Sequence, residues 1–568
     1  MFTPIFSPLT HYQNTLRQRH QQNVKEYFAL LESHANISRE ENAQTVAKYN
    51  EKQAQIQARQ AKVSSNKRKR NWGIFGVVFF WLAIVITVFS IEMLPAIQAM
   101  ISALTLGLSI FFIVRLCKSV NKENRELQTV IAALQDEANL FYSEAQKQAA
   151  PLNVLFTDED ALRLFEKSFP SVVFDPRFTD QRLNELVHGY GFSQNLSEYT
   201  CILDALSGEL YGNPFLYETR RDFTMGTATY HGSLTIHWTT TETDSQGNRR
   251  TVSHSQTLHA SITCPKPFYQ SSTSLYFGND NVPNVCFSRT HAHVEDKSES
   301  ALDRTLRKGE KRLEKLQDKA LEKDGDFTGV LNTDFEVLFN ATNRTDEYEF
   351  REMFTPRAQE SMLELLLDKD GYGDDFSFVK HNKLCTVHSE HAQYNTTISP
   401  FAIDFYSHDI AQIETSFLQK NEEFFRSVYF DFAPLLLIPP YQQPLVRSEK
   451  LQGGTATAYA YEALAYRLAD YVCPTDATTP SIYKTSLVER QNGKDRVLVR
   501  AYAYKAEPRI SYKSVYGRDG HWHDVPIDWW EYLPVQKTSY LCVGLAENKK
   551  STPTNATYYR GYYAYVTQ

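Results

Sequence analysis

Between Asn71 and Leu116 the mixing of polar and apolar positions that marks the rest of the chain stops. Two apolar runs, Trp72–Ile91 and Met93–Val114, contain no Asp, Glu, Lys or Arg. Each is about 20 residues, roughly 30 Å as a helix, which matches the hydrocarbon core of a bilayer. Glu92 and Pro95 mark a turn between them. The pattern predicts a transmembrane helical hairpin over 71–116, with spans at about 72–91 and 96–115. Two buried core helices are the competing reading, but the chain is otherwise polar, with a mean hydropathy of -0.44. The first run starts far from Met1, which argues against a cleaved signal peptide.

The flanks predict an orientation. Lys67, Arg68, Lys69 and Arg70 precede the first span, Arg115, Lys118 and Lys122 follow the second, and the turn has neither Lys nor Arg. Basic residues close to a span stay on the cytoplasmic side, so both termini are expected there. The polar segments beside the spans carry heptad spacing. Val46, Tyr49, Gln53, Ile56, Gln60 and Val63 form a seam weakened by two glutamines; Val120, Leu127, Leu134 and Phe141, with Ile131 and Ala138 beside them, form a better one. The expectation is a cytoplasmic N-terminal helical segment over 1–70, of which 20–66 pack as an antiparallel helical stalk against a stalk helix over 117–150 that follows the hairpin. Ala99, Ala103 and Gly107 make a small-xxx-small ridge for membrane helix packing, against the first span or a neighbouring subunit.

From about residue 151 the chain turns aromatic, β-branched and rich in turn residues, and the expected fold class is α+β. An α+β domain over 151–445 and a β-rich domain over 446–568, set off by Gly453 and Gly454, follow from this change. Leu234, Ile236 and Trp238 alternate with polar residues ahead of an Asp244–Asn248 turn and a return strand over Thr251–Thr263, which reads as a hairpin. Leu302, Leu306, Leu313, Leu316 and Ala320 stripe a charged helix over 297–324, expected to lie on a sheet. Thr355-Pro356 is a helix start, with Thr as the cap and Pro at the first position. Strands are expected at Phe376–Val379 and Lys383–Val387, and a helix at Ile410–Asn421 ahead of apolar Phe432–Pro440. Farther on come a helix over Ala456–Tyr471 and strands at Arg496–Tyr504, Val525–Leu533 and Ser539–Val543.

The segments Gly278–Asn284, Phe287–Arg289, Phe335–Phe339, Phe350–Pro356 and Tyr429–Gln443 resemble an uncharacterised family of bacterial membrane-anchored proteins. Members have a two-helix membrane hairpin followed by a cytoplasmic α+β region. The resemblance covers roughly 190–445, carries no assigned activity, and implies a bacterial inner or plasma membrane.

Composition narrows the rest. Sixty basic against 67 acidic residues give a net charge of -7, without a nucleic-acid footprint. Seven cysteines, an odd number with no CxxC, fit free thiols in a reducing compartment. No phosphate-binding loop, G-x-S-x-G or H-E-x-x-H sequence occurs, so no catalytic residue is assigned and no cofactor is expected. Two His-x-His pairs are the metal candidates. His521 and His523, near Asp524 and Asp528, would share one face of a strand; His291 and His293 stand ahead of Glu295 and Asp296. Asp368–Asp375 fails a calcium-loop register, because Tyr372 and Val379 occupy ligand positions. The expected function is a membrane-anchored, cytoplasmic-facing scaffold that binds a protein partner or another copy of itself. A metal-dependent hydrolase using His521 and His523 is the alternative, and a pore or transport component a minor one, since the spans hold no charge.

Overall fold

Heptad spacing runs unbroken from polar sequence into apolar sequence in two long helices, Arg39–Phe89 and Pro95–Asn153. They belong to a computed structural model that describes residues 5–89, 95–194, 196–243, 249–322, 327–393, 395–443, 453–546 and 555–567. The expected turns at Glu92 and at Asp244–Asn248 lie outside the described residues. The chain forms two compact units, one from 25–157 with 402–419 and one from 1–24, 158–401 and 420–568.

In the first unit the long helices pair antiparallel along one seam. Ile56, Val63, Ile131, Leu134 and Ala138 form its apolar core, with Tyr49 and Leu127 against them. Polar pairs set the register on either side. Asn42 donates to Ala145 O, Gln148 donates to Thr45 at 3.2 Å, and Lys52 reaches Glu137. Nearer the apolar segment, buried Asn66 donates to buried Asn124 at 3.4 Å and Arg70 to Asn121 at 3.3 Å. A buried polar pair in a seam favours one register, because any slip leaves both carboxamides against apolar neighbours. Gln60, assigned to the seam from its spacing, is exposed; Asn66 and Gly73 lie on the seam instead.

The second unit holds two antiparallel sheets. The first has seven strands in the order β1 (Val172–Phe174), β2 (Thr200–Leu210), β3 (Asn213–Thr243), β4 (Arg249–Gly278), β7 (Leu384–Ser389), β6 (Phe376–His381), β5 (Phe287–Arg289). The second runs β11 (Thr557–Tyr559), β12 (Tyr562–Thr567), β10 (Trp522–Leu545), β9 (Lys494–Tyr516), β8 (Ile482–Gln491). The core under the first sheet is aromatic: Phe215 meets Phe432 at 5.1 Å between ring centres and Phe277 meets Tyr441 at 5.3 Å.

β3 and β4 pair continuously from Phe215↔Phe277 to Thr243↔Arg249, and β9 and β10 from Lys494↔Gly544 to Tyr516↔Trp522. Alternation sorts the first ribbon into an apolar inner face and an outer face of Thr, Ser and His. Hydroxyl pairs join opposite strands on the outer face, Thr229 with Thr263 and Thr235 with Thr257. Inner Ile236 and Leu258 pack with Val525 of β10, flanked by Trp238 and Val515. At Gly232 the ribbons touch: an added Cβ would lie 2.0 Å from Pro526 O.

Several expectations change in detail. The expected strands Val525–Leu533 and Ser539–Val543 are one strand, because Pro526 and Pro534 leave the run of antiparallel partners unbroken. The helix begun at Ile410 continues to Leu436, carrying the apolar Phe432 segment into the core. The helix Glu299–Glu322 packs on the helix Thr333–Phe339 rather than on a sheet, through Gly309 against Val337. The boundary drawn at 446 does not separate domains, since the helix Ala458–Arg467 packs in one cluster with Cys201 and Leu203 of β2. Residues 5–24 are not part of a stalk: Ile5 and Gln442 bond each other at 2.7 Å through both main-chain groups of Ile5.

Buried charge is handled by pairing. Asp204 accepts both Arg560 Nε at 2.9 Å and Nη2 at 2.8 Å and the Ile398 N–H at 2.8 Å. Burial pushes its carboxyl up, yet Arg560 and these donors hold it below the ordinary range. His20 is buried and stacked on Phe425 at 4.0 Å, with Nδ1 2.9 Å from Ser168 Oγ and Nε2 3.1 Å from Asn421 O.

Two outcomes test this packing. Gly232→Ala forces the ribbons apart and is expected to lower stability by about 1–3 kcal/mol in denaturant unfolding. Burial lowers the His20 pKa to about 4 from 6.5, so the folded state stays neutral where the unfolded chain takes up a proton. Stability contributed at neutral pH therefore falls from pH 6.5 down to about 4, by about 3 kcal/mol in all. His20→Leu is expected to flatten that part of the stability–pH curve.

Candidate functional site

The strand β5 ends at Arg289, and the chain then turns so that His291 and His293 project to one place. Their rings sit 4.7 Å apart in an edge-on arrangement. Glu390, just after β7, completes the group: His291 Nε2 is 2.8 Å from one of its oxygens and His293 Nε2 3.6 Å from the other. The donor atoms of His291, His293 and Glu390 all lie within 4.8 Å of one another. His293 Nδ1 points the opposite way, 3.7 Å from Glu295. The three side chains are partly open to solvent, with 25%, 41% and 45% of each exposed.

Beneath this surface the loop is pinned by a buried ion pair. Arg289 and Asp374 bond directly, both side chains being fully buried. The other Asp374 oxygen accepts the Ala292 N–H at 2.8 Å, and Asp374 N–H donates to Glu295 at 3.0 Å. Arg289 also lies over the Phe376 ring at 4.5 Å, and burial holds its guanidinium below the ordinary value. Gly373, at φ +59°, passes so close that a Cβ there would meet Glu295 Cγ at 2.5 Å. His293 itself sits at φ +48°, in the left-handed region that non-glycine residues rarely adopt.

The other sequence candidates come out differently. His523 Nε2 bonds Asp519 at 2.8 Å at the tip of the β9–β10 ribbon, while His521 is exposed. Among the described residues no third donor joins them, so they form a turn lock rather than a ligand set. In the membrane ridge, Ala103 and Gly107 are exposed and a Cβ on Gly107 would meet nothing within 4 Å, so the ridge does not face the first span. The Ala99 side chain lies outside the described residues. The close approach comes instead at Gly73, where a Cβ would lie 2.7 Å from Leu116. Asp368–Asp375 is a loop, but Asp374 is a buried ion-pair partner, which its polar neighbours do not announce.

A second polar cluster has no counterpart in the sequence analysis. Buried Asp431 accepts Tyr217 and Ser389 and lies 3.6 Å from His391, whose Nδ1 is 2.5 Å from Asp375. Tyr372 stacks on the imidazole at 3.7 Å. Burial works against the charge on His391, but the two carboxylates hold its pKa above the ordinary value. Elsewhere, Tyr199, Phe223, Tyr269, Tyr502 and Tyr504 line an open cleft of about 500 Å³. Glu198 alone among its lining residues carries a charge.

Asp374→Asn would leave Arg289 buried without its counter-charge, and unfolding measurements are expected to show a loss of about 3–5 kcal/mol. Replacing both partners, Arg289→Met with Asp374→Leu, is expected to recover most of it. Comparison of the chain with protein-family models, curated proteins and solved structures finds no match.

Proposed function

We propose that the chain is a membrane-anchored protein, held in a bacterial inner or plasma membrane by its helical hairpin, whose second unit binds a protein partner. The observation that carries the anchoring is the uncovered apolar surface of the two long helices over the apolar runs. Trp72, Phe75, Phe79, Phe80 and Ile86 on one helix are more than half exposed, as are Met100, Leu104, Leu108, Ile110, Phe111 and Phe112 on the other. The more covered positions between them mix small or polar residues (Gly73, Ser102, Thr105, Ser109) with large apolar ones (Trp81, Ile84, Val85, Ile113). Both helices contain an 18-residue window of mean hydropathy 2.1, of which nothing is buried. An uncovered apolar sleeve of this extent around a helix pair suits hydrocarbon rather than water outside it.

Basic flanks support a topology with both termini in the cytoplasm. Partner binding is supported by the outer face of the β9–β10 ribbon. Ile510, Tyr512, Tyr516, Trp522 and Trp530 there are all at least 47% exposed, on a rigid element rich in the residue types that dominate binding energy. A homo-oligomer through the uncovered Ala103–Gly107 ridge is a second use of the hairpin.

Alkaline extraction of membranes is expected to leave the intact chain in the pellet. Leu104→Arg with Phe111→Arg, each about 2.5–3.5 kcal/mol unfavourable at a span centre, is expected to move it to the supernatant. A wild-type chain released by alkali would overturn the anchoring. A reporter active only outside the cytoplasm, fused after Gln568, is expected to stay silent.

A further inference from the structure

We infer that His291, His293 and Glu390 bind a first-row divalent metal ion of the zinc class, at a site with open coordination positions. This goes beyond membrane anchoring and does not depend on it. The donor set is two imidazole nitrogens and one carboxylate, without a thiolate. Imidazole selects ions such as zinc, whereas magnesium and calcium favour sites built of oxygen alone.

The spacing suits one ion. Ligand bonds of about 2.0–2.2 Å in tetrahedral array put donor atoms roughly 3.3–3.6 Å apart. His293 Nε2 and the Glu390 oxygen already stand at 3.6 Å. His291 Nε2 and the other oxygen, at 2.8 Å, need to open by a fraction of an ångström. Glu390 follows β7 and carries an exposed side chain, so a rotamer adjustment supplies that movement.

The surroundings orient the donors rather than merely neutralise them. His293 offers Nε2 to the site and turns Nδ1 toward Glu295 at 3.7 Å, just outside hydrogen-bond distance, so that a small closure would let the carboxylate fix the tautomer of a metal-binding imidazole. Glu295 is itself held by the Asp374 N–H, and Asp374 by buried Arg289, so three layers converge on the loop. His293 holds a left-handed backbone, and strain of that kind persists where the surroundings enforce it. Three protein donors and partial exposure leave one or two positions for water or an external ligand.

The test uses the full chain in detergent, stripped of metal and titrated with zinc alone against a chromophoric chelator. About one zinc per chain is expected, with His291→Ala, His293→Ala and Glu390→Gln each weakening it at least about tenfold. His521→Ala with His523→Ala is expected to leave it unchanged. Circular dichroism and thermal unfolding establish that each variant is folded. Should the alanine variants not fold, Glu390→Gln and the cobalt(II) spectrum of the intact protein decide. Intense visible bands of four- or five-coordinate cobalt, lost in Glu390→Gln, are expected. Zinc bound at well under one equivalent, binding that survives His291→Ala with His293→Ala, or a cobalt spectrum like that of the aqueous ion would each overturn the assignment.

Discussion

A two-stranded β-ribbon cannot hold itself in water, and the architecture of the second unit follows from that. β3 and β4 run far beyond the sheet they belong to, and each ladder satisfies only the main-chain groups facing its partner strand. What makes the extension stable is a second ribbon of the same kind. The inner residues Ile236 and Leu258 of one are covered by Val525 of the other, and Gly232 admits the neighbouring backbone at contact distance. Because side chains alternate, covering one face leaves the other to water. The first ribbon meets water with Ser, Thr and His, the second with Tyr and Trp. The two outer faces are thus chemically unlike although the backbones are similar, and only the second has the composition of a contact surface.

Buried charge is the second organising element. Arg182 with Asp175 and Glu209, Arg289 with Asp374, Arg344 with Glu336, and Arg560 with Asp204 each place a guanidinium among aromatic or aliphatic neighbours. Such pairs contribute little net stability against well-packed apolar replacements, but breaking one is strongly destabilising. Their effect is to fix loops that have little apolar surface of their own. The segment bearing His291 and His293 is one: Asp374, far away in the chain, ties it on the polar side, while Val294 enters the core beside it.

The helical hairpin and its antiparallel stalk were legible in the sequence because both depend on local periodicity and on runs of one polarity. The capped helix at Thr355-Pro356 was legible for the same reason: Thr355 Oγ1 accepts the Ala358 N–H. Strand lengths were not. The expected strand stopped at Leu533, before Pro534, yet prolines can sit at ladder positions whose N–H is not called on. The pairing of His291 with His293 follows from spacing, while Glu390 is supplied by β7 lying in the same sheet as β5, a fact of topology with no local trace. The Asp431 cluster was hidden for the same reason, since its members come from four separate stretches. The ridge at Ala103 and Gly107 has the right residues, but which face of a helix meets its neighbour is set by the register of the whole pair. That register is fixed at Asn66–Asn124 and Arg70–Asn121.

That register has a mechanical consequence. The seam passes from the polar stretch into the apolar one without a break, so the two long helices behave as a single stiff lever. Sliding one past the other by a turn, the step by which helical pairs usually switch, would part Asn66 from Asn124 and drive Leu116 away from the notch at Gly73. Tilting or rotating the pair as one body breaks neither contact. Rigid-body motion of the pair therefore keeps these contacts, whereas a piston stroke loses the carboxamide bond and the Gly73 contact.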